Sequence, residues 1–170
     1  VHAFCIAEVI APYAHLYNYN IPTPLKIVSE KERTQLFNDI VSNLGYNHDL
    51  VNLIKMDKER TLNVDGFSSI KVEPYDIALK VAKEFEKQLH AMGMVDFIDI
   101  VKYATLLIQK EQYVRKCIEA KFPWILIDEY QDLGRPLHEM MLSLFYHTNI
   151  KIFVVGDPDQ SIYGFTGAKP

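Results

Sequence analysis

The sequence predicts an α/β fold in which a large all-helical block interrupts a partial parallel sheet, and three observations carry that prediction. The runs Ile125-Leu126-Ile127 and Ile152-Phe153-Val154-Val155 do not alternate apolar with polar residues, which suits strands buried on both faces of a parallel sheet. From residue 29 to residue 120, apolar residues recur instead at helical spacing. Each apolar run also ends in acidic and amide side chains: Asp128-Glu129-Tyr130-Gln131-Asp132 after the first, Gly156-Asp157-Pro158-Asp159-Gln160 after the second. In open parallel sheets ligands sit beyond the carboxyl ends of the strands, so both clusters fall where a metal-bound polyphosphate would bind.

Taken in order, Val1 to Phe4 reads as the end of a strand that turns into a helix through Ile10. Ala11 to Ile27 holds Pro12, Pro22 and Pro24 among tyrosines and asparagines, the composition of a loop or extended connection. Ser29-Glu30-Lys31-Glu32 has the form of a capping box, in which the serine hydroxyl accepts an early N–H and the glutamate reaches back. Leu36, Phe37, Ile40, Val41 and Leu44 follow on one helical face, and Gly45 suits the position just past the end. A shorter amphipathic helix is expected near Asp49 to Glu59. Pro74 suits the first turn of a long helix with Val81, Ala82, Phe85, Leu89 and Met92 on one face and Gly93 as its stop. One further helix is expected from about Asp96 toward Ala120, carrying Phe97, Ile100, Val101, Ala104 and Leu107, with Asp96 and Asp99 capping it. The first buried strand, a helix from about Leu137 to Tyr146 and the second buried strand then form a βαβ unit, for which a right-handed crossover is expected.

A chain of 170 residues can bury one ordinary core, and its 49% hydrophobic and 24% charged content is that of a globular protein rather than a disordered one. No apolar run reaches membrane-spanning length, and no basic-then-apolar signal pattern opens the sequence. Cys5 and Cys117 stand too far apart to suggest a zinc motif or a disulfide framework. The formal net charge of −4 is unlike the basic excess of most free-standing nucleic-acid binders. Locally, Lys102, Lys110, Arg115, Lys116 and Lys121 form a basic stretch on one predicted helix, which read alone is a solvated face. No Gly-x-x-x-x-Gly-Lys-Ser/Thr occurs, so the loop that cradles phosphates with backbone N–H groups and a lysine is not in this sequence. These features suit a piece of a longer protein, or a paralogue that has lost its phosphate loop.

Asp128-Glu129-Tyr130-Gln131-Asp132 resembles motif II, the Walker B element, of the UvrD/Rep family of superfamily 1A DNA helicases. Gly156 to Ala168 resembles motif III of the same family, and His2-Ala3-Phe4-Cys5 is similar to its motif Ib segment. Asp96-Phe97-Ile98-Asp99-Ile100 resembles the acidic–aromatic segment at which the family's chain returns from an inserted helical subdomain. The four segments stand in family order and frame the whole chain. The resemblance implies a partial RecA-like P-loop NTPase sheet with an inserted all-helical subdomain. Residues 1–14 would belong to domain 1A, 15–120 mainly to the helical 1B insertion and its return helix, and 121–170 to domain 1A again. It further implies a full-length protein that uses ATP and Mg²⁺ to move 3′ to 5′ along DNA. Its partners would be single-stranded DNA or a single-strand/duplex junction and the remainder of the helicase chain, which holds the Walker A segment and the second RecA-like domain. The isolated chain would be inactive. The implied location is the cytoplasm and nucleoid in a bacterium, or the nucleus in a eukaryote.

Residue by residue, the resemblance implies that Asp128 holds Mg²⁺ directly or through water and that Glu129 orients the attacking water. Read alone, both are acidic residues that end a strand. Gln160 matches the motif III glutamine that senses the γ-phosphate, a task suited to an amide that donates and accepts at once; alone, it also suits the turn chemistry of Asp157-Pro158-Asp159. Tyr163 and Phe165 match the aromatic pair on which single-stranded bases stack, and core aromatics are the other reading. His2 matches a histidine near the DNA path and could equally be structural. Two departures stand out: Thr166 where arginine is common, and Leu133-Gly134 where Thr-Asn is usual. A non-catalytic DNA-binding or protein-interaction module derived from a helicase, and the helicase subunit of a recombination nuclease, remain as alternatives.

Overall fold

A computed structural model describes residues 1–64, 73–130 and 134–157. The chain divides into two compact units, one formed by Val1–Ile21 with Ile100–Pro170 and the other by Pro22–Asp99.

The Pro22–Asp99 unit is helical. Helix α3 (Glu30–Asn43) starts with the expected capping box: the Glu32 N–H donates to the Ser29 hydroxyl, and the Glu32 carboxylate accepts the Ser29 N–H at 3.0 Å. Its chain leaves through Gly45 at φ +71°, a left-handed position that glycine occupies without steric cost. Helix α4 (Leu53–Leu62) begins later than the expected Asp49, because the Asn52 side chain accepts the Lys55 N–H at 2.9 Å and caps it there. Helix α5 (Asp76–Ala91) likewise begins after Pro74, with Tyr75 at the N-cap, and ends before Gly93 at φ +66°. Phe37, Ile40, Val41, Val51, Met56, Val81, Ala82, Phe85 and Leu89 form one buried cluster. Leu44 and Met92, expected on the buried faces, lie at helix ends and are exposed. A parallel bridge between Ile27 and Val95 closes the unit, with Val28 N–H donating to Val95 C=O and Val95 N–H to Lys26 C=O, each at 2.9 Å.

Inside this unit lies a buried ion cluster. The fully buried Arg60 guanidinium donates to Asp96 (2.5 and 3.0 Å), Asp99 (2.9 Å) and Glu86 (3.1 Å), and lies 5.0 Å from the Phe85 ring centroid. Arg33 reaches Asp57 at 2.5 Å and Asp96 at 3.1 Å, and His90 Nε2 lies 3.2 Å from Asp99. Asp96 and Asp99 also cap the following helix as expected, since Asp96 accepts the N–H groups of Ile98 and Asp99 while Asp99 accepts that of Asp96.

The other unit begins helically at His2, not with the expected strand end. An α-turn, α1 (His2–Phe4), runs into a π-helical stretch (Cys5–Ile10), then α2 (Ala11–Tyr13) and a 3₁₀ turn (Ala14–Leu16). Pro12 does not stop the helix, contrary to the expected loop. Its ring would crowd the Glu8 carbonyl in a regular α-helix, and the wider π-helical winding upstream relieves that clash. The single helix expected from Asp96 toward Ala120 is two, α6 (Phe97–Lys110) and α7 (Gln112–Lys121). No glycine or proline marks the break at Glu111. Arg115 Nη1 caps α6 by donating to the carbonyls of Ile108 (2.6 Å) and Gln109 (2.9 Å), and the Tyr19 hydroxyl bonds the Glu111 carboxylate. The supposed basic face is therefore divided, and Lys102 is buried; Phe97, expected inward, is exposed.

Strands β1 (Trp124–Ile127) and β2 (Lys151–Val154) pair in parallel, with helix α8 (Arg135–His147) between them in the chain. Helix α8 starts earlier than expected because Pro136 needs no hydrogen bond in the first turn. The Thr105 hydroxyl of α6 lies within hydrogen-bond distance of the Pro136 carbonyl, at 2.9 Å, and of the Val101 carbonyl of its own helix, at 2.8 Å, and shares its one proton between them. The strands are not buried on both faces, as their composition led us to expect. Trp124, Leu126, Phe153 and Val155 are 54%, 73%, 51% and 56% exposed. The physical reason is that the sheet has only two strands among the described residues; on the Trp124–Phe153 face the two rings stack at 5.3 Å and Lys151 Nζ lies 4.6 Å from the Trp124 ring centroid.

Candidate nucleotide edge

The register Trp124↔Lys151 through Ile127↔Val154 brings the carboxyl ends of β1 and β2 side by side. Pairing continues past both strands: Val155 N–H donates to Ile127 C=O at 2.8 Å, and Tyr130 N–H donates to Val155 C=O at 3.0 Å. The segment from Asp128 to Tyr130 thus turns across the end of β2 and meets it at Val155. Asp128 and Glu129 are both exposed on this edge. Asp128 Oδ1 accepts the N–H of the next residue, Glu129, at 2.9 Å.

Glu129 itself sits at φ +54°, in the left-handed region that side chains other than glycine rarely adopt. Such strain, of order 1–3 kcal/mol, clusters at functional sites, because it sets the direction of a side chain at a cost the surroundings must offset. Tyr130 follows with its ring half-buried and its hydroxyl hydrogen-bonded to His138 Nδ1 of α8 at 2.8 Å; burial raises its phenol above the ordinary range. Ile125 to Asp128 line an apolar cavity of about 260 Å³ with Val1, Phe4, Leu137, Met140 and Met141.

The predicted residues divide accordingly. Asp128 and Glu129 lie together at the strand end. His2 is exposed on α1, whose Phe4 lines the cavity beside Asp128. Gln160, Tyr163 and Phe165 lie outside the described residues, as does Thr166. Among the described residues no three His, Cys, Asp or Glu side chains converge on one point. The donor chemistry still fits Mg²⁺, which keeps several waters and is commonly bound through one or two carboxylates plus substrate phosphates. Sequence reasoning missed the left-handed Glu129 and the Tyr130–His138 pair. His138 falls one turn into a helix with no periodic feature to mark it.

In open α/β sheets ligands bind beyond the carboxyl ends of the strands, the edge on which this acidic turn lies. The chain matches the UvrD/REP helicase N-terminal domain over residues 1–170 and belongs to that family. It is 38% identical over 86 residues to ATP-dependent DNA helicase Rep of Escherichia coli (strain K12), covering 51% of this chain and 13% of that protein. It is 38% identical over 95 residues to DNA helicase II of Rickettsia typhi (55% of this chain, 14% of the relative). It is also 32% identical over 162 residues to RecBCD enzyme subunit RecB of Buchnera aphidicola subsp. Schizaphis graminum (89% of this chain, 12% of the relative). The chain therefore spans between 12% and 14% of the length of these relatives.

Proposed function

We propose that this chain is the Walker B and motif III part of an ATP-dependent 3′–5′ DNA helicase, with the Pro22–Asp99 unit as the core of its helical 1B insertion. The observation that carries the reading is the in-register pairing of β1 with β2, continued by the Val155–Ile127 and Tyr130–Val155 hydrogen bonds, which puts Asp128 and Glu129 at the carboxyl edge of the sheet. Asp128, whose Oδ2 has no partner among the described residues, holds Mg²⁺ directly or through water. Mg²⁺ neutralises charge on the β- and γ-phosphates when bound. Glu129 orients and polarises the attacking water, and its left-handed backbone sets its direction. Gln160 reads the γ-phosphate, while Tyr163 and Phe165, with His2 nearby, meet single-stranded DNA. The remainder of the helicase supplies the phosphate loop and the second RecA-like domain. The RecB relative, matched along 89% of this chain, supports a second form of the reading, the helicase subunit of a recombination nuclease; a downstream nuclease domain would distinguish it.

Phe165→Ala tests the DNA side. Losing one stacked base costs about 1–3 kcal/mol, so the full-length variant should bind single-stranded DNA roughly five- to hundredfold more weakly. The loss should be alike on oligo-dT and mixed sequence, since stacking ignores base identity, and it should persist at moderate salt because no phosphate contact is removed. DNA-independent ATP hydrolysis should be spared. Gln160→Ala should do the opposite, keeping DNA affinity while uncoupling it from turnover. Fluorescence anisotropy paired with ATPase rates checks both. Unchanged affinity with a collapse in thermal stability would make Phe165 a core residue.

A further inference from the structure

The turn that carries Glu129 is fixed from a direction that no sequence motif marks. A left-handed backbone at a glutamate reverts to ordinary φ unless both of its neighbours are held. Upstream, Asp128 accepts the Glu129 N–H. Downstream, Tyr130 is tied twice: its N–H to the Val155 carbonyl of the neighbouring strand end, and its hydroxyl to His138 Nδ1 at 2.8 Å. The Tyr130 and His138 rings also meet edge to face, 6.1 Å apart. His138 is in turn part of a well-anchored helix start. Its N–H donates to the Gly134 carbonyl at 3.2 Å, the Pro136 carbonyl is held by the buried Thr105 hydroxyl, and Arg135 pairs with Glu139 at 3.3 Å. A continuous set of contacts therefore runs from α6 through the first turn of α8 to the residue following Glu129.

We propose that the Tyr130–His138 pair is a latch that sets the backbone of Glu129, which makes His138 a positioning residue for ATP hydrolysis. The inference rests on the reading of Glu129 as the residue that orients water. Loosening the latch leaves the carboxylate chemically intact but lets it leave the attack geometry, so it lowers the rate of the chemical step without weakening ATP binding.

The test uses the full-length helicase with Tyr130→Phe, His138→Phe, His138→Gln, the Tyr130→Phe/His138→Phe double variant, and Glu129→Gln alongside. Tyr130→Phe removes one oxygen only, so it probes the latch without opening the core. Each phenylalanine variant should lower kcat about fivefold, the effect of one net hydrogen bond, with KM for ATP within about twofold of wild type. The double variant should be no slower than either single, because both remove the same contact. His138→Gln, which keeps a hydrogen-bonding group, should recover kcat to within about twofold. Wild-type kcat in Tyr130→Phe beside an inactive Glu129→Gln would overturn the latch while leaving the water-orienting role intact. Multiplicative losses in the double variant would also overturn it. Hydrolysis in Glu129→Gln within tenfold of wild type would instead overturn the reading on which the latch rests.

Discussion

Glu129→Gln in the full-length helicase should abolish turnover while ATP still binds. The substitution preserves size and hydrogen bonding and removes the charge that, in the role proposed for Glu129, orients and polarises the attacking water. The loss should be roughly a thousandfold in kcat, about 4 kcal/mol in the barrier. ATP affinity should be unchanged, because phosphate binding falls to Mg²⁺ and the phosphate loop. A nucleotide titration beside a steady-state ATPase assay decides the matter. Survival of hydrolysis within tenfold would remove Glu129 from the role given to it.

Arg60→Ala should be the most damaging single change to the helical unit. It leaves Glu86, Asp96 and Asp99 buried around an empty position, and breaking a buried ion pair this way costs about 3–5 kcal/mol. Its pH dependence should identify the cause. In the native protein, burial by itself would raise the Asp96 carboxyl, but the Arg60 charge and hydrogen bonds, with Arg33 beyond, hold it well below the carboxylate range. A lowered carboxyl stabilises the fold above its unfolded pKa, near 3.8, and that contribution is lost as pH falls through the folded value. Without Arg60 the same carboxylates repel one another and take up protons, so acid should relieve the variant while it weakens the native protein. The gap in unfolding free energy should therefore narrow toward low pH. His90 works in the opposite sense. Its hydrogen bond to Asp99 raises the imidazole against the effect of burial, so it stabilises below its unfolded pKa of about 6.5, and that stability is lost as pH rises through the folded value. Denaturant unfolding of both proteins across this range checks each limb. A gap constant with pH would mean that the loss comes from packing alone.

Local chemistry made much of this fold legible. The Ser29–Glu32 box and the glycines at 45 and 93 act through contacts a few residues apart, so their effects could be read directly. What was hidden depends on partners distant in the chain. The break at Glu111 is stabilised by Tyr19 and Arg115, with no breaker residue, and the helix through Pro12 relies on π-helical winding upstream. Arg60 drew no comment from its sequence alone, although it stands four residues after the buried Met56 and so on the same helical face. At the site, the strand-end position of Asp128 and Glu129 followed from the apolar run before them. The left-handed turn at Glu129 and its tie to His138 did not, because an aromatic and a histidine eight residues apart carry no spacing signal.

The most direct test of the strand-end site is affinity cleavage of the full-length protein with Fe²⁺ in place of Mg²⁺. In the presence of ATP, ascorbate and peroxide, bound Fe²⁺ generates oxidant that cuts the backbone beside its ligands. An ATP-dependent cut is expected at or next to Asp128, competed by Mg²⁺ and lost in Asp128→Asn. ATP-dependent cleavage confined to other segments, or cleavage beside Asp128 that persists undiminished in Asp128→Asn, would contradict Mg²⁺ binding at Asp128.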